Sequence, residues 1–177
     1  IFDLRDFIIP DDYLDLSVRK DVMLDGRYLL VLRDALCPEM REALIKATKK
    51  RFTGRAFTRG TYAVTDGRHC ESPAEVAMMS GHADIVGQSI APEVYLAREI
   101  GACYAGLYFT VNYGEGIRKA WSHQDMADIF YDDAPMIGEI ILETIRTVAA
   151  DDRHCECLSL RKETLLKDVY NEVSSKG

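Results

Sequence analysis

The run Gly60-Thr61-Tyr62-Ala63-Val64-Thr65-Asp66-Gly67, followed by Glu71-Ser72-Pro73-Ala74-Glu75 and Asp84-Ile85-Val86-Gly87, decides the fold. Residues Gly60–Thr65 are rich in β-branched and aromatic side chains and read as a strand. Ser72 is placed as an N-cap, Pro73 takes the first helical position, and Glu75 closes a capping box. A helix is therefore expected from there to about Gly81, with a second strand over Asp84–Gly87 and a second helix from Pro92 to about Ile100. Strand–helix–strand alternation with short connections implies an α/β fold, a mostly parallel or mixed central sheet flanked by helices.

The same alternation extends outward. Upstream, Phe7-Ile8-Ile9 is a short apolar strand that stops at Pro10. Pro38 to Lys50 carries Met40, Ala43, Leu44 and Ala47 at helical spacing, with Pro38 suited to a first turn. Downstream, Ala102 to Val111 is a nearly continuous apolar run, expected as a long strand buried on both faces. Ser122 with Asp125 starts another helix, and Ile137, Ile141, Ile145 and Val148 mark the apolar stripe of a last long one. The expectation is one α/β domain over residues 1–177. Its tail from Asp151 is more polar, and Ser159–Val173 is read as a terminal helix edged by Leu160, Leu165, Leu166 and Val169.

The 177 residues are 47% hydrophobic and 29% charged, which excludes disorder over most of the length. The longest uncharged run, Ile100 to Gly114, has 15 residues, short of the ~20 that span a bilayer. No basic-then-apolar leader opens the sequence, so a cytoplasmic location is expected and a membrane is not. With 22 Lys and Arg against 29 Asp and Glu, the formal net charge is −7, which argues against nucleic-acid binding. The five cysteines, an odd number, read as free thiols of a reducing compartment. His154-Cys155-Glu156-Cys157 is dense in ligand types but lacks paired CxxC spacing, and no metal site is expected from it.

In α/β sheets, ligands bind beyond the carboxyl ends of the strands. Three such ends carry polar groups that a plain core does not require: Asp66 to Glu71, Gly87-Gln88-Ser89, and Thr110-Val111-Asn112. Together they offer an acid, an amide and a hydroxyl to a small polar ligand with a planar donor–acceptor edge. Each residue also has a structural reading. Glu71 favours a helix dipole, Asn112 is a turn former ahead of Tyr113-Gly114, and Ser89 can cap the next turn.

Gly60–Gly67, Glu71–Glu75, and Ala83–Ser89 with Pro92-Glu93-Val94 resemble, in order and spacing, the trimeric purine nucleoside phosphorylase and methylthioadenosine phosphorylase family. Ile8-Ile9-Pro10-Asp11-Asp12-Tyr13-Leu14-Asp15 and Cys37-Pro38-Glu39 are similar to its methylthioadenosine phosphorylase branch, and the likeness covers roughly Asp6 to Val148. The resemblance implies phosphorolysis of purine nucleosides to free base and ribose 1-phosphate, with inorganic phosphate as co-substrate and no cofactor. It implies that Glu71 holds the purine N1–H edge and that Asn112 faces N7 and O6, a 6-oxopurine choice, since Asp stands there in enzymes that take 6-aminopurines. Val86 and Gln88 then line base and ribose, Ser89 helps hold phosphate, and His123 lies near the ribose 5′ position. A trimer or hexamer is implied, with the Arg19–Met23 loop reaching a neighbour's site.

The sequence also departs from that pattern. Gly67-Arg68-His69-Cys70 stands where Gly-Pro-x-Phe or Gly-Pro-Arg-Leu is usual, so Cys70 replaces an aromatic or apolar wall against the base. Gln88 stands for Met and Val111 for Thr. The family's phosphate loop and its Arg-His pair do not occur in these 177 residues. Two other functions are consistent with this: a methylthioadenosine phosphorylase, or a non-catalytic nucleoside-binding or partner subunit in complex with a chain carrying the phosphate half-site.

Overall fold

The computed structural model describes residues 2–118, 121–148 and 152–164. In chain order these form β1 (Phe7–Ile8), β2 (Asp12–Asp15), β3 (Tyr28–Leu30), α1 (Pro38–Arg51), β4 (Ala56–Phe57) and β5 (Thr61–Val64). They continue with α2 (Pro73–Met79), β6 (Ile85–Gly87), α3 (Glu93–Ile100), β7 (Tyr108–Phe109), α4 (His123–Thr147) and β8 (Arg161–Glu163). The α/β class is as expected, but the sheet is divided. β2, β5 and β6 form one parallel sheet, and β1 joins β4 in parallel and β7 antiparallel in a second.

β5 is the central strand of the first sheet, and the reason is its composition. Tyr62, Ala63 and Val64 are all buried, so the strand is covered on both faces. Tyr62 and Val64 pack with Leu36, Ile90, Ala91 and Val94, so β5 meets the start of α3. Each such fully buried aliphatic side chain contributes roughly 1.5–3 kcal/mol relative to exposure. The α2 start is built as read: Ser72 accepts from the Glu75 N–H, and the Glu75 carboxylate accepts from the Ser72 N–H at 2.8 Å. The α3 end is closed by Gly101 in the left-handed conformation (φ 71°).

The second core joins β1 to the long helices through Phe7, Ala47 and Ile140, with Phe52 stacked on Phe7 at 4.2 Å between ring centroids. Four expectations need correction. The long strand over Ala102–Val111 shrinks to β7; Tyr104 instead gives its carbonyl to the Cys37 N–H at 2.7 Å. A continuous apolar run reports burial, not sheet pairing. The two late helices are one, α4, 25 residues capped by Ser122 and running through Pro135. Pro135 is exposed, so the carbonyl its ring leaves unpaired can be met by water.

The α4 stripe is also shifted. Ile140, Glu143 and Thr144 are buried, while Ile141 and Ile145 are 37% and 64% exposed. Glu143 faces α1 and pairs with Lys50 and Arg51. Finally, Arg161–Glu163 is not helical but pairs antiparallel with β3; residues 165–173 of the expected terminal helix lie outside the described residues. Among the described residues, no helix is long and apolar enough to cross a membrane.

Candidate active site

The carboxyl ends of β5 and β6 lie side by side because the strands are parallel and in register, Val64 opposite Gly87. The ladder continues one residue further, with the Thr65 N–H donating to the Gly87 carbonyl at 2.9 Å. Thr65 thereby stands at the rim with its hydroxyl free to point along the strand direction. It donates to Glu71 Oε1 at 2.5 Å, with the Gly87 carbonyl a distant second acceptor at 3.4 Å. A hydroxyl has one proton, so the short contact takes it. The half-buried Glu71 is thus anchored through one oxygen.

On the β6 side, Gln88 Nε2 donates to the His69 carbonyl at 3.1 Å, tying the Arg68–Cys70 turn to the second strand end. Arg68 adopts φ 85°, the left-handed region, which carries the chain round this turn. Ser89 is placed from below: its N–H donates to the Tyr62 hydroxyl at 3.3 Å. Burial pushes the Tyr62 phenol upward, so it remains a neutral donor–acceptor at ordinary pH. Gly87 permits this approach, since a Cβ there would overlap the Tyr62 hydroxyl.

Asn112 follows β7, which belongs to the other sheet, and the loop after it turns back towards the start of α2. A Cβ at Gly114 would lie 3.0 Å from Val76 Cγ1, and one at Gly116 would lie 3.2 Å from Pro73 Cβ. The loop after Asn112 therefore packs on the first turn of α2, directly after Glu71 and Ser72. Asn112 is half-buried, and its Nδ2 donates to the Tyr113 carbonyl at 3.3 Å, consistent with its turn reading. Val86 and Val111 are half-buried beside the strand ends, and Cys70, Gln88 and Ser89 are exposed. His123 is exposed at the first position of α4.

Sequence reasoning overlooked the supporting roles of three residues. Thr65 and Tyr62 sit inside the quoted strand, where alternation could have flagged them. Arg19 is the third: it donates to the Thr65 carbonyl at 3.1 Å and pairs with Asp66 at 3.3 Å, so its side chain serves its own rim. The neighbouring Val22, Met23 and Leu24 are exposed.

The rim is open. Two concavities lie elsewhere, about 500 Å³ between α1 and α4 and about 420 Å³ beneath the Lys20–Met23 loop, and neither is lined by Glu71, Asn112 or Ser89. Position weighs more than volume here. The α1–α4 concavity is lined by acids and bases such as Glu143 and Lys50 that already pair with each other, leaving no convergent group for a ligand. The rim, in contrast, places Glu71 just beyond β5 and Gln88 and Ser89 just beyond β6, at the ends of two paired strands.

The comparisons with known proteins agree with the α/β reading. Residues 2–146 match the family described as the phosphorylase superfamily, and the chain belongs to it. It is 30% identical over 164 residues to a probable 6-oxopurine nucleoside phosphorylase of Dictyoglomus turgidum, covering 89% of this chain and 62% of that one. It is 32% identical over 154 residues to a probable S-methyl-5′-thioinosine phosphorylase of Methanosarcina acetivorans, covering 85% of this chain and 58% of that one. A methylthioadenosine phosphorylase from an antarctic soil metagenomic library shares the fold with a TM-score of 0.76 at 23% identity, over 89% of this chain and 58% of that one. The chain spans about three fifths of the length of the curated relatives it matches.

Proposed function

We propose that this chain supplies the base and ribose part of a purine nucleoside phosphorylase site, with 6-oxopurine nucleosides, 5′-methylthio ones included, as substrates. The observation that carries the reading is Glu71 held by Thr65 at the end of β5, beside Gln88 and Ser89 at the end of β6. Cleaving a purine N-glycosidic bond builds positive charge on the ribose and negative charge on the leaving base. The Glu71 carboxylate accepts from purine N1–H, and Asn112, turned from the Tyr113 carbonyl, donates towards N7 and O6. Both bonds strengthen as the base becomes anionic, so they lower the barrier and not only the binding energy. Inorganic phosphate attacks the anomeric carbon, Ser89 contributes one hydroxyl to it, and the chemistry calls for no cofactor. The remaining phosphate donors come from parts of the assembly other than the rim described here. The exposed apolar Val22–Leu24 loop supports assembly as a trimer or hexamer.

The names of the relatives also support a second reading, methylthioadenosine phosphorolysis, and Asn112 separates the two. The whole protein is expected to phosphorolyse inosine with a higher kcat/KM than adenosine. Asn112→Asp should reverse that preference by roughly tenfold or more, because a carboxylate accepts from a 6-amino group and repels O6. Equal turnover of both nucleosides by the unaltered protein rejects the 6-oxopurine assignment, and no turnover of either rejects the enzyme.

A further inference from the structure

Four of the five cysteines meet at one place. Cys37 precedes the first turn of α1, Cys103 lies between α3 and β7, and Cys155 and Cys157 follow α4. Their sulfurs all lie within 4.8 Å of one another, and Cys103 and Cys155 are 3.4 Å apart. The spacing that His154–Cys157 lacked in sequence is supplied by the fold, through two thiols from distant parts of the chain.

We propose that Cys37, Cys103, Cys155 and Cys157 hold a structural zinc ion as four thiolates, clamping the segment after α4 to the start of α1. With Zn–S near 2.3 Å, tetrahedral geometry puts the sulfurs about 3.8 Å apart, so the site closes with shifts of about an ångström. Each thiol loses its proton to solvent on binding, leaving a tetrathiolate zinc of net charge −2. Two guanidiniums stand ready to balance it. The buried Arg98 donates to the Cys157 carbonyl at 3.2 Å and the Asp34 carbonyl at 2.8 Å, and Arg153 donates to the Gly101 carbonyl at 3.3 Å with Cys103 Sγ at 3.8 Å. Such outer contacts orient ligands and tune their basicity.

Burial pushes the Cys37 thiol up to about 11 and the Cys157 thiol further, whereas at Cys155 burial is outweighed by hydrogen bonds from Cys157 and the neighbouring thiols. A bound dication reverses the cost of ionising the two buried thiols. Four protein ligands leave no open position, so the ion is structural and takes no part at the rim. The clamp has an evident task. Cys155 and Cys157 hold the segment that leads through Leu160, whose carbonyl accepts from the Val31 N–H at 2.9 Å, into β8.

The test is elemental analysis of the whole protein, purified reduced and without chelator, which is expected to carry about one zinc per chain. Replacing zinc with cobalt(II) should give sulfur-to-cobalt charge-transfer bands and the intense visible bands of a tetrahedral thiolate site. Cys70, exposed and outside the cluster, is an internal control. In the folded protein it should alkylate at once, with the other four protected until a strong zinc chelator is added. Cys155→Ser and Cys157→Ser should abolish the cobalt spectrum; should either fail to fold, alkylation of the unaltered protein still decides. Two disulfides, seen as an intact mass lower by four hydrogens, overturn the proposal. So does less than about a tenth of an equivalent of zinc in reduced, folded protein. Iron in zinc's place overturns the choice of metal.

Discussion

The rim around Glu71 and the thiol cluster around Cys37 differ in almost every physical respect. At the rim Gln88, Ser89 and Cys70 are exposed and Glu71 is half-buried; in the cluster Cys37 and Cys157 are 0% and 3% exposed. The rim is oriented by hydrogen bonds among residues near in sequence or on adjacent strands, such as Thr65 to Glu71 and Gln88 to His69. The cluster joins three separate parts of the chain. A site that must admit a ligand keeps its polar groups accessible and places them by a few short bonds, whereas one that ties elements together gains most where water is excluded. Rim substitutions should therefore change turnover with little change in stability, and substitutions along α1 and its partners the reverse.

Glu71→Ala should show the largest effect and the cleanest separation. We expect turnover of inosine by the whole protein to fall ~10²-fold or more, as for a lost transition-state hydrogen bond. The melting temperature should stay within a few degrees. A large loss of stability with modest loss of rate would return Glu71 to a helix-dipole role and break the contrast.

Gly87→Ala tests whether the rim has a rigid floor. The new methyl group overlaps the Tyr62 hydroxyl, so we expect a cost of about 1–3 kcal/mol, typical of overpacking. Removing the hydroxyl should relieve much of it, making Gly87→Ala milder in a Tyr62→Phe background. Chemical denaturation of the four proteins of this cycle measures the coupling, and strict additivity would show that the close approach is unimportant.

Glu143 probes the other end of α1. Hydrogen bonds from Lys50, then Arg51, hold its carboxyl at about 2, well below its ordinary 4.5. A carboxylate with a lowered folded value stabilises the fold above its unfolded value and loses that contribution as pH falls through the folded one. Glu143→Gln should thus lower the melting temperature by several degrees at pH 7. The gap should narrow between about pH 4.5 and pH 2. A gap independent of pH would mean that packing, not charge, sets the α1–α4 contact.

Ser72→Ala is the smallest of the four. Losing the N-cap should cost about 1 kcal/mol, read by chemical denaturation. Because the cap adjoins Glu71, the sharper question is whether inosine turnover also falls; a fall beyond a few-fold would show that the helix start positions the acid.

Much of the rim was legible in the sequence. The capping box at Ser72 and Glu75, the strand at Thr61–Val64 and the polar residues after each strand are local signals, and local signals survive without tertiary context. What was not legible depends on partners far along the chain. The Ala102–Val111 run is nearly all apolar, and only the position of β1 decides that its strand is confined to Tyr108 and Phe109. On α4, the isoleucine stripe predicted one buried face, but the face that packs on α1 carries Glu143, paired with two α1 cations, and leaves Ile145 exposed.

The sequence by itself determined the α/β class, the helix starts and the acid, amide and hydroxyl at the strand ends. Period, capping chemistry and turn residues act over a few residues and need no knowledge of the rest. Only the tertiary structure decided which strands share a sheet, that Thr65 and Tyr62 hold Glu71 and Ser89, and that four cysteines scattered from position 37 to 157 converge. Convergence of that kind is set by the packing of whole elements against one another, and no spacing within a short stretch of chain encodes it.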